Sequence, residues 1–477
     1  MGRKWGLILL VGLLVVKVAG VIARGPSPIV LDAAGYWELG GLVSGGDWFL
    51  TQKEIAYRTP GYPWLIGLLR STVADPLFAL VCVQGMLWIA TIGLIAWMAV
   101  DLTGDRRAAY PVLGLALLMI SSVTYVTTVL SETLFTFLLV LHLWSVARFT
   151  RAPTVIGGVL MGATLGLAIL TRPIAMLIWI ADLVYLVVSW FWVRDDRVKQ
   201  LCVIRGTICL LIAATVTIAS ITPWLVRNQA MFGKMMLTEF VGRNLWIVTF
   251  QDGSGAGLAM PDSRAAEQLK DQVGQPAWST LAAEEAWRDT WTVSHALTAA
   301  GMDDAAADRL MKQTAIDAIK AAPGVFAVKA GRRLINFWRT RATELPSQVA
   351  DFPVTGDADK AALARDLYAG QSIWGVTVAP VDTAIRYRAS NWLLGNTLLM
   401  LLTGLSTMLL IWRRPTRAAG LWLAAVMGYF AVITAVLEIP AYRYRMILEP
   451  IVLLVLVAAL CVCCCSVFRR CHPNDEI

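Results

Sequence analysis

The sequence predicts an all-α polytopic membrane protein, and three observations carry that prediction. The 477-residue chain is 57% hydrophobic and only 16% charged, too few charges to cover a soluble surface of that size. Several apolar runs reach the roughly 20 residues that a helix needs to cross a bilayer. Basic residues recur on alternate connecting loops, as the positive-inside rule requires.

After the basic start "MGRK", the first span covers about residues 5–23. A signal peptide would fit the small residues near "VAG", but Lys17 interrupts the apolar run. A first outer loop at 24–75 follows, then spans near 76–100, 109–122, 131–147, 154–170, 174–193 and 201–224. Residues 227–390 are polar, with Asp, Glu, Gly and Ala throughout, and read as an outer, soluble, mostly helical insert. Within it, 323–340 alternates apolar and basic positions at helical spacing, which predicts a helix lying on the membrane surface. Spans near 391–412, 419–437 and 446–468 close the chain. The expected architecture is about ten transmembrane helices with outer interfacial helices and the outer insert. It divides into an N-terminal transmembrane module at 1–226, the extracytoplasmic insert at 227–390, and C-terminal helices with a cytoplasmic tail at 391–477.

With the N-terminus inside, the cytoplasmic loops are "GDRRA", "ARFTRA", "RDDRVK", "RRPTR" and the tail "FRRCH", all basic. That asymmetry accounts for the net charge of +8 without any nucleic-acid partner. Eight cysteines do not make a disulfide framework: Cys82, Cys202 and Cys209 lie in apolar runs, and Cys461, Cys463, Cys464, Cys465 and Cys471 crowd the C-terminal end. They read as packing residues or, for the juxtamembrane group, lipidation sites; zinc-ligand spacing is missing. His142, His295 and His472 are far apart and suggest no site.

Charges at the membrane edge are expensive and tend to be functional. In this topology Asp32 and Arg58 lie in the first outer loop, Glu132 at the outer start of the fourth span, Arg172 in an outer turn, Arg227 at the end of the seventh span, and Glu438, Arg443 and Arg445 at the outer junction of the last two spans. Their convergence predicts a polar cavity at the outer leaflet. Arginines can grip a phosphate through charge-assisted, bidentate hydrogen bonds. A carboxylate can take a proton from an attacking hydroxyl or hold a metal ion. Plainer roles exist for each group. Asp32 could cap a helix, Arg58 could snorkel to headgroups, and Glu132 could serve a helix dipole. Tyr36, Trp37, Tyr62 and Trp64 suit interfacial anchoring, and Glu38 and Asp47 suit solvent.

Five stretches resemble a known family: "DAAGYWELG" (32–40), "YRTPGYPWLIGLL" (57–69), "SETLFTFLL" (131–139), "TPWLVRNQAMFGK" (222–234) and "YRYRMILEPIVLLVL" (442–456). Together they are similar to GT-C glycosyltransferases that use polyprenyl-phosphate sugars, in particular aminoarabinose transferases and protein O-mannosyltransferases. The resemblance runs over roughly 5–250 and 390–468 and leaves the insert at 251–385 undiagnosed. It implies that 1–226 is the catalytic module. It also implies that Asp32 is the acid-loop aspartate, acting as base or metal ligand, and that Glu132 assists. Arg58 would contact phosphate where aminoarabinose transferases carry Lys. Arg172 and Arg443, with Tyr36 and Tyr62, are further substrate-binding candidates on position.

The expected activity is inverting transfer of a sugar from a polyprenyl-phosphate donor to an acceptor hydroxyl on the outer side. The acceptor could be a protein, a lipid or a glycan, and a divalent ion (Mg, Mn or Zn) could take part. The expected location is a bacterial inner (plasma) membrane with the site facing the periplasm or exterior, or a lumen in a eukaryote. Two other classes compete. A transporter or flippase of a lipid-linked or anionic solute would place its charges nearer the bilayer midplane and often show internal repeats. A non-catalytic envelope assembly factor would tolerate alanine at Asp32 and Arg58.

Overall fold

The computed structural model describes residues 2–191, 196–251, 258–339, 397–438 and 442–471. Among these residues the chain is helical with no strand. In chain order the helices are α1 (Gly2–Ile22), α2 (Asp32–Ser44), α3 (Gly61–Thr72), α4 (Pro76–Thr103), α5 (Ala109–Leu118), α6 (Ile120–Thr124), α7 (Glu132–Arg151), α8 (Val155–Thr171), α9 (Ile178–Phe191) and α10 (Asp196–Phe232). The region that follows α10 supplies α11 (Val241–Trp246), α12 (Arg264–Val273), α13 (Gln275–Ala283), α14 (Thr290–Ala299), α15 (Asp304–Ala321) and α16 (Pro323–Arg339). The chain closes with α17 (Thr397–Trp412), α18 (Arg417–Leu437), α19 (Tyr442–Met446) and α20 (Glu449–Cys471).

Among the described residues, six segments are long and apolar enough to cross a membrane: Trp5–Ile22, Pro76–Thr103, Glu132–Arg151, Pro173–Trp190, Ile204–Phe232 and Arg414–Leu437. Three shorter apolar helices, Val155–Thr171, Leu398–Trp412 and Glu449–Cys464, pack among them. The span expected at 109–122 is not one helix. It breaks at Met119, between α5 and α6. Lys17 explains the break's stability: its ammonium donates to the carbonyl oxygens of Ala116, Leu117 and Met119 at 2.9, 3.0 and 2.6 Å. The free carbonyls at a helix C-terminus carry partial negative charge, so a cation there replaces the missing turn.

The first core is a helical bundle that includes Phe135, Phe149, Trp422 and Phe430. On α8 the glycines come every four residues, and the stripe meets α10 backbone to backbone: a Cβ on Gly162 would lie 2.3 Å from the Ala213 carbonyl oxygen. That is close approach of the small-residue kind. The second core belongs to the outer helices, where Trp246, Phe250 and Trp287 pack edge to face around Leu269, Val293 and Met311. The loop before α3 is tied to these helices: the Ala56 N–H donates to Asp304 Oδ2 (3.1 Å), and the Glu239 N–H donates to the Ala56 oxygen (2.8 Å).

Helix α16 departs from the surface-lying expectation. Its basic side chains Lys329 and Arg333 are buried. Lys329 donates to the Thr249 carbonyl (3.1 Å), and Arg333 to those of Ala435 (2.6 Å) and Val248 (3.2 Å). The cations point inward because helix-end carbonyls are there to receive them. Asp47 is likewise buried rather than solvated, holding the Thr51 and Gln52 N–H groups at 2.9 Å each. The expectations for the loop "RDDRVK", the tail beyond Cys471 and the insert's 340–390 stretch lie wholly or partly outside the described residues.

Candidate functional site at one end of the bundle

The pocket starts with strained backbone. Leu31, just before α2, has φ +52° and ψ −122° and is 76% exposed. Such a conformation costs a non-glycine residue about 1–3 kcal/mol and persists where the surroundings impose it. The next residue is Asp32. Its carboxylate makes no capping bond to α2; each oxygen instead accepts from a different arginine. Arg58 Nη2 donates to Oδ1 at 2.8 Å, and Arg443 Nη1 donates to Oδ2 at 2.7 Å. These partners lie 26 and 411 residues away in sequence. Burial by itself would raise the pKa of Asp32, but Arg443 and Arg58 outweigh it and hold the carboxyl well below the usual carboxylate range. The side chain is 42% exposed, so the clamp is open on one side.

Arg58 is shaped by aromatic rings. Its guanidinium lies 4.2 Å from the Tyr36 ring centroid and 5.4 Å from that of Tyr57, a cation–π arrangement that also fixes its plane. Gly35 makes room for it: a Cβ there would touch Arg58 Nη2 at 3.4 Å. Tyr62 stands behind, edge-on to Tyr36 at 5.1 Å, fully buried, with its hydroxyl donating to Gln84 Oε1 at 3.1 Å. Tyr62 therefore supports the Tyr36 ring and does not line the open side.

A second pair adjoins the first. Pro173 disfavours helical backbone in the residue before it. So α8 ends at Thr171, and Arg172 takes an extended conformation (φ −147°, ψ 116°). Its Nη1 lies 2.8 Å from Oε1 of Glu132, the first residue of α7. Glu132 is 2% exposed and its Oε2 has no partner. Tyr444 joins the pairs: its hydroxyl meets Arg443 Nη2 at 2.7 Å, and its ring lies 5.7 Å from the Arg172 guanidinium. The Tyr36 hydroxyl is 3.3 Å from Ser131 Oγ, next to Glu132. Asp32, Glu132, Arg58, Arg172, Arg443 and Tyr36 thus form one connected cluster. Tyr444 was not singled out by sequence reasoning; its signal was its place inside "YRYR", which reads only as alternating aromatic and basic residues.

Two charges expected in this cluster are elsewhere. Arg227 spends its guanidinium on the carbonyls of Phe49, Leu50, Lys53 and Ile55 and on Asn228, stapling the loop between α2 and α3 to α10. Arg445 turns into the bundle, 3.3 Å from Glu449 Oε1.

The cluster does not fit a metal ion. Both Asp32 oxygens face guanidinium groups, which repel a cation, and among the described residues no three His, Cys, Asp or Glu side chains gather as ligands would. It does fit an anion. Three arginines converge in one cluster, and the buried Arg58 Nε has no partner.

No curated protein and no solved structure matches the chain. A family model does, across α3 to α10 and including Arg58, Tyr62, Glu132 and Arg172. Residues 57–219 match the dolichyl-phosphate-mannose-protein mannosyltransferase family, a GT-C type family of membrane glycosyltransferases.

Proposed function

We propose that this protein is an inverting glycosyltransferase of the membrane. It transfers a sugar from a polyprenyl-phosphate donor to an acceptor hydroxyl on the extracytoplasmic side. The observation that carries the proposal is the Asp32 carboxylate held between Arg58 and Arg443 at 2.8 and 2.7 Å. The donor's phosphodiester competes with that carboxylate for the guanidinium groups. A phosphate offers more acceptor oxygens, so Arg58 and Arg443 move from Asp32 to the donor, with Arg172 nearby. Asp32, released from its counter-ions, becomes a better base.

The acceptor oxygen attacks the anomeric carbon from the face opposite the phosphate. The bond from that carbon to the phosphate oxygen breaks, Asp32 takes the hydroxyl proton, and polyprenyl phosphate leaves. The arginines stabilise the charge that builds on the leaving phosphate. Glu132 keeps Arg172 oriented and offers its unpartnered Oε2 to the acceptor. Tyr36 holds the plane of Arg58, backed by Tyr62.

In this reading the protein has about ten spans, both termini are cytoplasmic, and the site and the 227–390 insert face the periplasm or exterior of a bacterial inner membrane. The test uses the full chain in nanodiscs with a panel of polyprenyl-phosphate sugars. Asp32→Asn keeps the shape and removes the base, and transfer should fall by about 10²–10⁴, while membrane insertion stays unchanged and melting drops only by the small amount that two partly exposed ion pairs contribute. Wild-type transfer rates in that variant would end the proposal.

A further inference from the structure

The turn that presents Arg443 is only five residues long, Tyr442–Met446. A single helical turn has no stability of its own, because nucleation costs more than its few hydrogen bonds return. Something outside it must set its rotation. Its side chains divide in two directions. Arg443 and Tyr444 are partly exposed and face Asp32 and Arg172, whereas Tyr442 and Arg445 are buried. Both buried groups end on one carboxylate. The Tyr442 hydroxyl donates to Glu449 Oε1 at 2.7 Å, and Arg445 Nη2 is 3.3 Å from the same oxygen. The Arg445 guanidinium also lies 4.9 Å from the Tyr442 ring centroid. Glu449 is wholly buried at the start of α20.

We propose that Glu449 is a positioning residue: by gripping Tyr442 and Arg445 it fixes the rotation of α19, so that Arg443 meets the donor phosphate. The proposal rests on the phosphate role given to Arg443 above. A contribution to stability alone is a poorer account of this carboxylate. Buried ion pairs seldom add net stability over apolar packing, and here Arg445 holds Glu449 by charge alone, with Glu449 Oε2, Arg445 Nε and Arg445 Nη2 making no hydrogen bond. What the arrangement does achieve is geometric. Two inward anchors on one turn leave the intervening Arg443–Tyr444 pair a single direction to face.

A double-mutant cycle on the full chain in nanodiscs tests this, with undecaprenyl phosphate as the binding probe and the melting temperature measured alongside. Arg443→Ala should weaken binding, and Glu449→Gln should weaken it about tenfold. The double variant should bind no worse than Arg443→Ala alone, because the carboxylate acts through that arginine. Losses that add in full, or unchanged binding in a folded Glu449→Gln, would overturn the proposal. Unchanged binding in Arg443→Ala would instead overturn the phosphate reading of the pocket, and this inference with it. If Glu449→Gln does not fold, Tyr442→Phe removes one anchor and should show a smaller loss, again absent when Arg443 is already alanine; additive or absent loss there overturns the proposal equally.

Discussion

Two charge clusters in this molecule are built from similar parts and do opposite things with them. In the middle of the bundle, His142 Nε2 lies 2.8 Å from Asp182 Oδ2, and Trp422 Nε1 donates to Asp182 Oδ1 at 2.8 Å. His142 Nδ1 faces the Met161 oxygen and Thr164 Oγ1 at 3.2 and 3.3 Å. Every polar atom of that carboxylate and imidazole is occupied, and both residues are buried. In the other cluster Asp32 is also bonded through both oxygens, but its side chain is 42% exposed, and two buried atoms of the same cluster, Arg58 Nε and Glu132 Oε2, have no partner. The inner cluster is closed and joins α7, α8, α9 and α18. The outer one is open and has polar capacity to spare. A buried polar network with nothing left over works as a fastener; one with spare donors and an open side can exchange partners with a ligand.

Mutations can break or sharpen that contrast. The largest expected effect is on stability. Asp182→Ala leaves His142 and Trp422 without their shared partner, and breaking a buried pair costs about 3–5 kcal/mol. Melting in detergent should drop clearly, with any surviving folded protein keeping its affinity for undecaprenyl phosphate. Arg58→Ala should do the reverse. Melting should change little, while affinity for the same lipid phosphate should fall about 10–100-fold, since a hydrogen bond to a charged group contributes about 1.5–3 kcal/mol. Equal melting losses in the two variants would erase the distinction between fastener and site.

The smallest expected effect concerns acid. The folded-state pKa of Asp32 lies below its unfolded value, so its ion pairs stabilise the protein above the ordinary aspartate pKa. That contribution fades only as the pH falls toward the depressed folded value. Arg443→Ala removes the leading charge that depresses it, so the acid limb of a stability profile should shift to higher pH. An unmoved limb would mean that the pair at 2.7 Å contributes nothing in solution.

Much of the site was legible as depth. Asp32, Arg58, Glu132, Arg172 and Arg443 each lie beside an apolar run or in the polar stretch between two of them, and charges so placed are rare enough to stand out. Depth does not give direction, however. Arg227 and Arg445 sit at comparable positions, yet one staples a loop and the other points into the bundle. His142 looked idle in the sequence because its partner Asp182 is 40 residues away along the chain, and Trp422, which holds the other oxygen of Asp182, is 240 residues further on.

The sequence by itself determined that this is a helical membrane protein and where its costly charges lie relative to its apolar runs. Both follow from length, hydropathy and loop charge, which are local properties. Only the tertiary structure decided which of those charges touch. Rotation about a helix axis and the pairing of distant helices are fixed by packing across the bundle: by glycines on α8 that admit α10, and by Glu449 beneath the turn that carries Arg443. For Asp32 no window of neighbouring residues holds that information, because its two partners lie 26 and 411 residues away.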